Sequence, residues 1–154
     1  MTTVSRSKTS GLRLPRPRRP PPEFFVDRSL GRVVVAEAIR AFGYTVHTMV
    51  EVYPDGRDME VRDVEWIRDA SDAGWVALTK DERIIRYPDE QEALIQSTLR
   101  VFAIGNQHLT GPQMAAYYAT NINRIVQRAR KPGPYVDTVY RDSVERRWPK
   151  APSL

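Results

Sequence analysis

The sequence predicts a three-layer α/β/α fold with a mostly parallel central sheet. Short apolar segments rich in β-branched and aromatic residues alternate with longer segments whose apolar residues recur every three to four positions. Gly or Pro stands at most of the boundaries between them. Alternating strands and helices are typical of a parallel sheet that is covered on both faces. A chain of 154 residues is long enough for one such domain with a sizeable core.

The first three predicted elements are a strand, a helix and a second strand. Residues 24–27 are mostly apolar and predict a short strand. The helix follows from apolar residues at positions i, i+3, i+4 and i+7, with a glycine placed to close it: Val35, Ala38, Ile39, Phe42 and then Gly43. Residues 44–53, YTVHTMVEVY, alternate in polarity and are rich in β-branched side chains, so they predict the second strand.

The middle of the chain continues the same alternation. Residues 63–73 carry a helical pattern that ends at Gly74. The segment WVALT, residues 75–79, predicts a buried strand that leads directly to Asp81. A further helix is predicted over about residues 89–98.

The last predicted strand and helix end in a proline-rich turn. Residues 99–106, LRVFAIGN, form the strand. Thr110 supplies an N-cap and Pro112 a first-turn proline for a long helix. Its predicted inward residues are Ala115, Tyr118, Ile122, Ile125 and Ala129. The sequence KPGP then stops the helix.

The charge distribution divides the chain into three parts. Residues 1–22 hold six basic residues and no acidic one, residues 23–122 hold ten basic and sixteen acidic residues, and residues 123–154 hold eight and three. An acidic body between two basic segments suggests a polyanionic partner. We predict a disordered basic arm rich in Pro and Arg over residues 1–22, a folded domain to residue 130, and a basic C-terminal extension over residues 131–154.

The composition excludes several classes of site. The chain has no Cys and only two His, so it holds neither a disulfide, nor a thiolate zinc site, nor a histidine-rich metal site. No run of residues approaches the ~20 apolar residues of a membrane span, so we expect no membrane partner. The absence of Cys fits a reducing compartment, and we expect a cytoplasmic location.

Oxygen-bearing side chains follow the predicted strands. Asp27, Asp81 and Asn106 each stand just beyond a strand. Right-handed crossovers bring the carboxyl ends of parallel strands to one edge of the sheet, where sites form. Asp63 begins a helix and would point its carboxylate toward that edge. Clustered carboxylates repel one another unless a cation holds them, and oxygen ligands suit Mg²⁺ or Mn²⁺.

Each acidic residue also has a structural interpretation as a helix or turn cap, worth about 1 kcal/mol. For Asp63 taken alone the cap is the better explanation. The convergence of the acidic residues at one edge favours a metal site.

Basic and aromatic residues near this edge are candidates for contacts with a nucleic acid. Lys80, Arg83 and Arg86 follow the third strand closely, and they either contact backbone phosphate or form a solvated face. The aromatic candidates for stacking on unpaired bases are Trp66, Tyr117 and Tyr118. Tyr118 falls in the core-facing stripe of its helix, so we expect it to be structural.

Three segments carry a resemblance to a known family. They are FFVDRSLG, RDVEWIRDASDAGWVALTKDERI and LRVFAIGN. In this order and spacing they resemble the PIN-like domains of toxin-type endoribonucleases. The likeness covers about residues 23–130.

The resemblance implies a metal-dependent endoribonuclease that hydrolyses RNA phosphodiester bonds with Mg²⁺ or Mn²⁺, often as the toxin of a toxin–antitoxin pair. Its implied partners are RNA and an antitoxin protein, and a homodimer is left open. The residues that match the acidic positions of the family are Asp27, Asp63 and Asp81. Glu65 is an alternative to Asp63. The fourth position has no clear occupant, and the nearby candidates are Asn106 and Asp89.

Two other functions remain open at this point. A catalytically silent module could keep the fold and bind nucleic acid or protein, and the unclear fourth ligand favours this alternative. A phosphoacceptor fold resembling bacterial response regulators also gathers aspartates at strand ends. Those proteins pair two adjacent acidic residues after the first strand, whereas Arg28 and Ser29 follow Asp27 here.

Overall fold

The computed structural model describes residues 20–150, apart from the side chain of Arg83. The predicted arm over residues 1–22 therefore lies almost wholly outside the described residues. The strands are β1 (Phe24–Val26), β2 (Val46–Thr48), β3 (Val76–Thr79), β4 (Arg100–Ala103), β5 (Tyr135–Val139) and β6 (Val144–Trp148). They form one sheet in the order β2-β1-β3-β4-β5-β6. All neighbouring pairs are parallel except β5 and β6, which are antiparallel.

Helices cover both faces of this sheet. They are α1 (Val34–Arg40), α2 (Met49–Val52), α3 (Asp63–Ala73), α4 (Pro88–Ile95) and α5 (Gly111–Arg128). One apolar cluster joins α1 and α5 to one face of the sheet, and a second joins α2, α3 and α4 to the other face. Side chains alternate between the clusters along β1, because successive residues of a strand point to opposite faces: Phe24 and Val26 lie in the first cluster and Phe25 in the second. The three-layer α/β/α prediction is confirmed.

The helices with the clearest local signals lie where the sequence predicts them. Helix α3 occupies residues 63–73, and Gly74 follows it in the left-handed conformation with φ 75°. Thr110 caps α5 by accepting a hydrogen bond from the backbone N–H of Gln113. All five residues of the predicted inward stripe are buried. These caps and stripes are short-range features, so the local sequence is enough to place the two helices.

The predicted strand over residues 44–53 is wrong beyond Thr48. Strand β2 ends there, and α2 begins at Met49. Thr48 and Glu51 form a reciprocal capping box, in which the Thr48 hydroxyl accepts from the backbone N–H of Glu51 and the Glu51 carboxylate accepts from the backbone N–H of Thr48. This pair starts a helical turn inside a segment whose polarity alternates like that of a strand.

Two smaller predictions also need correction. Phe42, predicted to face the core, is 51% exposed because α1 ends at Arg40 and the chain turns toward Gly43. Helix α4 ends at Ile95 rather than near residue 98. The Ser97 hydroxyl donates to the Leu94 carbonyl there, which gives the last turn a partner outside the helix.

Strands β5 and β6 extend the sheet beyond the last element that the sequence predicts. Strand β5 pairs in parallel with β4, and the edge strand β6 returns antiparallel to β5. The predicted boundary at residue 130 therefore falls between α5 and strands of the same sheet. Within residues 20–150, no helix combines the length and the apolar character that crossing a bilayer requires.

Candidate functional site

Asp27 is the central residue of the candidate site. It directly follows β1, the strand flanked by β2 and β3, so it lies at the carboxyl edge of the sheet. Its residue surface is only 5% exposed. A carboxylate at this depth is kept in place by hydrogen bonds or by a cation, because burial disfavours its charged form.

Two hydroxyl groups hold the Asp27 carboxylate. The Ser29 hydroxyl and the Thr79 hydroxyl each donate to Oδ2 of Asp27, both at 2.8 Å. The Ser29 hydroxyl also accepts from the backbone N–H of Lys80 at 2.9 Å. These contacts join the end of β1 to the end of β3, so they fix the carboxylate relative to both strands.

The electrostatic surroundings raise the pKa of Asp27 above its usual range. Burial is the largest cause. The hydrogen bonds from Ser29 and Thr79 lower the pKa and partly oppose this effect, whereas the negative charge of Asp63 raises it further. Asp63 is therefore close enough to Asp27 for its charge to oppose that of the Asp27 carboxylate.

Asp63 is the first residue of α3, and it does not act as the helix cap. The cap position is occupied by Arg62, and Oδ1 of Asp63 accepts a hydrogen bond from the indole N–H of Trp66 at 2.8 Å. The alternative acid, Glu65, accepts from the backbone N–H of Arg62 at 2.8 Å. The structure therefore gives Glu65 the capping contact and leaves Asp63 beside Asp27.

Asp81 is connected to Asp27 through Thr79. The backbone N–H of Asp81 donates to the Thr79 hydroxyl at 3.1 Å, and the same hydroxyl donates to Asp27. Thr79 itself is fully buried. One hydroxyl thus sets the positions of two predicted site residues that are 54 positions apart in the sequence.

The predicted ligands do not form a complete metal site as they stand. Across residues 20–150, no three Asp, Glu or His side chains are grouped closely enough to hold a metal ion. Asn106 is exposed, and its side-chain oxygen accepts from the backbone N–H of His108. Asp89 is exposed in the first turn of α4. The structure thus brings together Asp27 and Asp63, connects Asp81 by a hydrogen bond, and identifies no fourth ligand.

The donor set nevertheless has the chemistry that a hard divalent cation prefers. Asp27 and Asp63 offer carboxylate oxygens, and the negative charge of Asp63 opposes the charged form of Asp27. Mg²⁺ is commonly bound by one or two carboxylates with water in the remaining positions. These residues fit such an ion as a partial, water-completed set of ligands.

The residues predicted to contact nucleic acid differ in how exposed their side chains are. Lys80 is half-buried and Arg86 is exposed, while the side chain of Arg83 lies outside the described residues. Trp66 is fully buried, so the suggestion that it stacks on bases is wrong. Tyr118 is buried as expected, and its hydroxyl donates to the carbonyls of Thr79 and Phe102. Tyr117 is half-buried against the core.

Sequence reasoning missed the two hydroxyl residues and one arginine. Ser29 follows Asp27 by two positions, and Thr79 precedes Asp81 by two, so a hydroxyl two positions from an acidic residue was the available signal. Arg28 donates to the backbone carbonyls of Asp58 and Val61 at 2.6 and 3.1 Å. These bonds hold the loop before α3 against the end of β1 and so help to place Asp63.

A wider cleft lies at the opposite edge of the sheet. Its volume is about 1120 Å³, and it is lined by residues at the amino ends of β1, β3 and β4, including Pro22, Trp75 and Arg100. Its carboxylate, Glu23, hydrogen bonds to His47 at 2.7 Å. Size alone therefore does not locate the acidic site, which is recognised by its chemistry.

Comparison with known proteins agrees with the fold. A family model described as "PIN like domain" matches residues 22–106, which contain β1 to β4 together with Asp27, Asp63 and Asp81. The chain belongs to the PIN-like domain family. It is also 34% identical over 122 residues to a protein of Mycobacterium tuberculosis (strain ATCC 25618 / H37Rv) named "Putative ribonuclease VapC45". That similarity covers 79% of this chain and 88% of the relative. No solved structure matches the chain significantly.

Proposed function

We propose that this PIN-like protein is an endoribonuclease that hydrolyses RNA phosphodiester bonds with the help of Mg²⁺ or Mn²⁺. The observation that carries the proposal is the position and the surroundings of the Asp27 carboxylate. This carboxylate is buried at the edge of the sheet, held by two hydroxyls and opposed by the charge of Asp63. The name of the mycobacterial relative supports the same class of reaction.

The predicted metal ligands are Asp27, Asp63 and Asp81, with Asn106 as a supporting residue. When bound, a divalent ion supplies Lewis-acid activation of the attacking water and neutralises charge on the leaving oxygen. Asp27 contributes a negative charge whose position is fixed by Ser29 and Thr79.

The other residues orient the site and attract the substrate. Arg28 fixes the loop that carries the chain to Asp63. Lys80 and Arg86 supply positive charge after β3, where backbone phosphate would be attracted without sequence preference.

The biological setting that we propose is a cytoplasmic toxin–antitoxin pair. The relative carries the name of a ribonuclease of the VapC series, and the resemblance found in the sequence belongs to the toxin-type group. The partners in this proposal are RNA as substrate and a cognate antitoxin protein as inhibitor. Self-association as a homodimer is part of the same proposal.

A second candidate function is a catalytically silent PIN-like module that binds nucleic acid or protein. It is favoured by one observation: among residues 20–150 no three potential ligands are grouped for a metal ion. The first candidate function predicts Mg²⁺-dependent cleavage of RNA, whereas the second predicts binding without cleavage.

The deciding experiment compares the wild-type protein with Asp27→Asn and with the matched control Asp72→Asn, which changes an exposed aspartate of α3. We expect Mg²⁺-dependent cleavage of single-stranded RNA by the wild type and the control, and its loss on addition of EDTA. Removing the charge of Asp27 should slow cleavage by on the order of a thousandfold, because several kcal/mol of transition-state stabilisation are lost. Equal cleavage by Asp27→Asn, or none by the wild type, would contradict the proposed activity.

A further inference from the structure

A pocket lies beside the acidic edge, one strand away from Asp27. It has a volume of about 310 Å³, and its lining includes Arg28, Arg32, Thr48, Val50, Asp58 and Met59. We call it the Asp58 pocket. Thr48 is the register partner of Val26, the residue before Asp27. Neighbouring strands are about 4.8 Å apart, so the pocket is within reach of a nucleic acid strand bound at Asp27.

Asp58 is a buried acceptor with spare hydrogen-bonding capacity. The residue is 5% exposed, yet the contact that the structure gives its carboxylate is an ion pair with Arg32 at 3.5 Å. The Arg32 side chain is 68% exposed. An ionised carboxylate can accept about four hydrogen bonds, and buried polar groups are nearly always satisfied. Asp58 therefore has room for donors from a ligand.

The walls of the pocket suit a flat, partly apolar group. Met59 is 64% exposed and Val50 is 37% exposed, so both present apolar surface that a ligand would cover. Met49, the first residue of α2, also lines the pocket and is itself buried. Methionine packs well on aromatic faces because its sulfur is polarisable and its side chain is adaptable.

The charge of the pocket distinguishes between a nucleic acid and a protein side chain. Arg28 and Arg32 both line the pocket. The Arg28 guanidinium donates its hydrogen bonds to backbone carbonyls, which leave its positive charge in place. Two guanidinium groups attract a phosphate-bearing strand and oppose entry of a third cation, such as an arginine of a partner protein.

We propose, on the basis of the ribonuclease function given above, that the Asp58 pocket binds an unpaired nucleobase that carries an exocyclic amino group. The Asp58 carboxylate accepts a hydrogen bond from the amino group, as aspartate does from the N4 amino group of cytosine. Met59 and Val50 cover the face of the base, while Arg28 and Arg32 lie toward its phosphates. The pocket then selects bases with an amino group over uracil, which has a carbonyl oxygen in that place.

The test measures binding without cleavage. Fluorescence anisotropy of labelled octacytidylate and octauridylate is recorded with the full chain in EDTA. Since one specific base contact contributes discrimination of about tenfold, wild type should bind octacytidylate about tenfold more tightly. Asp58→Asn should lose or reverse this preference, because the asparagine amide can donate to a uracil oxygen. Asp72→Asn should keep the wild-type ratio.

A second variant keeps the test valid if Asp58→Asn does not fold, as judged by circular dichroism. Val50→Trp adds bulk at a part-exposed position of the pocket and leaves the buried residues unchanged. It should abolish the preference for octacytidylate while the protein remains folded. Equal binding of the two RNAs by wild type, or an unchanged ratio in the variants, overturns the proposal.

Two outcomes separate this proposal from its alternatives. RNA cleavage by a wild type that binds both RNAs equally leaves the ribonuclease function standing and removes the base pocket. Binding of acetyl-arginine amide that disappears in Asp58→Asn, without any preference between the RNAs, assigns the pocket to an arginine side chain of a protein and also overturns the proposal.

Discussion

Thr79→Val tests whether one hydroxyl holds the two halves of the acidic site together. The change preserves the shape of a fully buried side chain and removes its hydroxyl. The hydrogen bond to the Asp27 carboxylate involves a charged group and is worth about 1.5–3 kcal/mol, and the bond from the Asp81 N–H is worth about 1 kcal/mol. Since the valine methyl regains some packing, we expect a loss of about 2–4 kcal/mol in the free energy of unfolding at neutral pH.

The dependence of this loss on pH identifies its origin. The folded-state pKa of Asp27 already lies above its ordinary value because of burial, and loss of the Thr79 donor raises it further. A raised pKa means that the folded state binds the proton more tightly than the unfolded state, so Asp27 favours folding at low pH and opposes it as pH rises through the folded pKa. The difference between wild type and Thr79→Val should therefore be largest at neutral pH and shrink as Asp27 becomes protonated.

Urea denaturation at several pH values measures this difference. Thr79→Ser is the matched control, because it keeps the hydroxyl and removes one buried methyl group, at a cost of about 1 kcal/mol that does not depend on pH. A loss in Thr79→Val that equals the loss in Thr79→Ser, or one that stays constant from neutral to acidic pH, would refute the assigned role of the hydroxyl.

Three further predictions concern the acidic residues. Asp137→Ala should cost about 2–3 kcal/mol of unfolding free energy by urea denaturation, because the fully buried Asp137 carboxylate pairs with Arg128 and Arg146 at 2.6 and 2.7 Å and water compensates these partly exposed cations only in part; a loss below 1 kcal/mol would speak against this. Mn²⁺ should raise the melting temperature of wild type but not of Asp27→Ala, since an ion that binds only the folded state stabilises it; equal shifts would exclude Asp27 as a ligand. Asp81→Asn should slow RNA cleavage by on the order of a thousandfold while unfolding free energy changes by less than about 1 kcal/mol; a less stable but equally active variant would make Asp81 structural.

The elements that could be predicted from the sequence are those fixed by nearby residues. Helix α3 is bounded by Gly74, and α5 by the Thr110 capping box, and both have one continuous apolar face. Strand β2 was predicted too long because alternation in polarity continues past Thr48. The capping contact between Thr48 and Glu51 competes with strand geometry over only three positions.

Strand β5 could not be predicted because its pattern depends on tertiary contacts. All five of its residues are buried, and one of them is Asp137. A buried aspartate in a strand is stable only with partners, and these come from α5 and β6. The segment YVDTV contains no local feature that predicts ion pairs between this carboxylate and two arginines.

In the candidate site, too, some residues could be predicted from the local sequence, whereas others depend on tertiary contacts. Asp27 and Asp81 were predicted because the end of a parallel strand is a position that topology alone specifies. The role of Thr79 depends on the pairing of β1 with β3, which brings its hydroxyl within 2.8 Å of Asp27. The ends of strands can be inferred from the sequence, whereas a shared hydroxyl becomes visible only in the assembled sheet.

Asp27 and Asp137 differ in a way that separates function from stability. Both are buried aspartates at 5% and 0% exposure. Asp137 has two arginine partners, whereas in the described part of the chain Asp27 has hydroxyl donors and an opposing acidic neighbour. A residue kept for stability alone would gain from a cationic partner or from replacement by a neutral side chain. The hydroxyl donors that hold the Asp27 carboxylate and the opposing charge beside it support the proposed role of this residue as a ligand of a metal ion from solution.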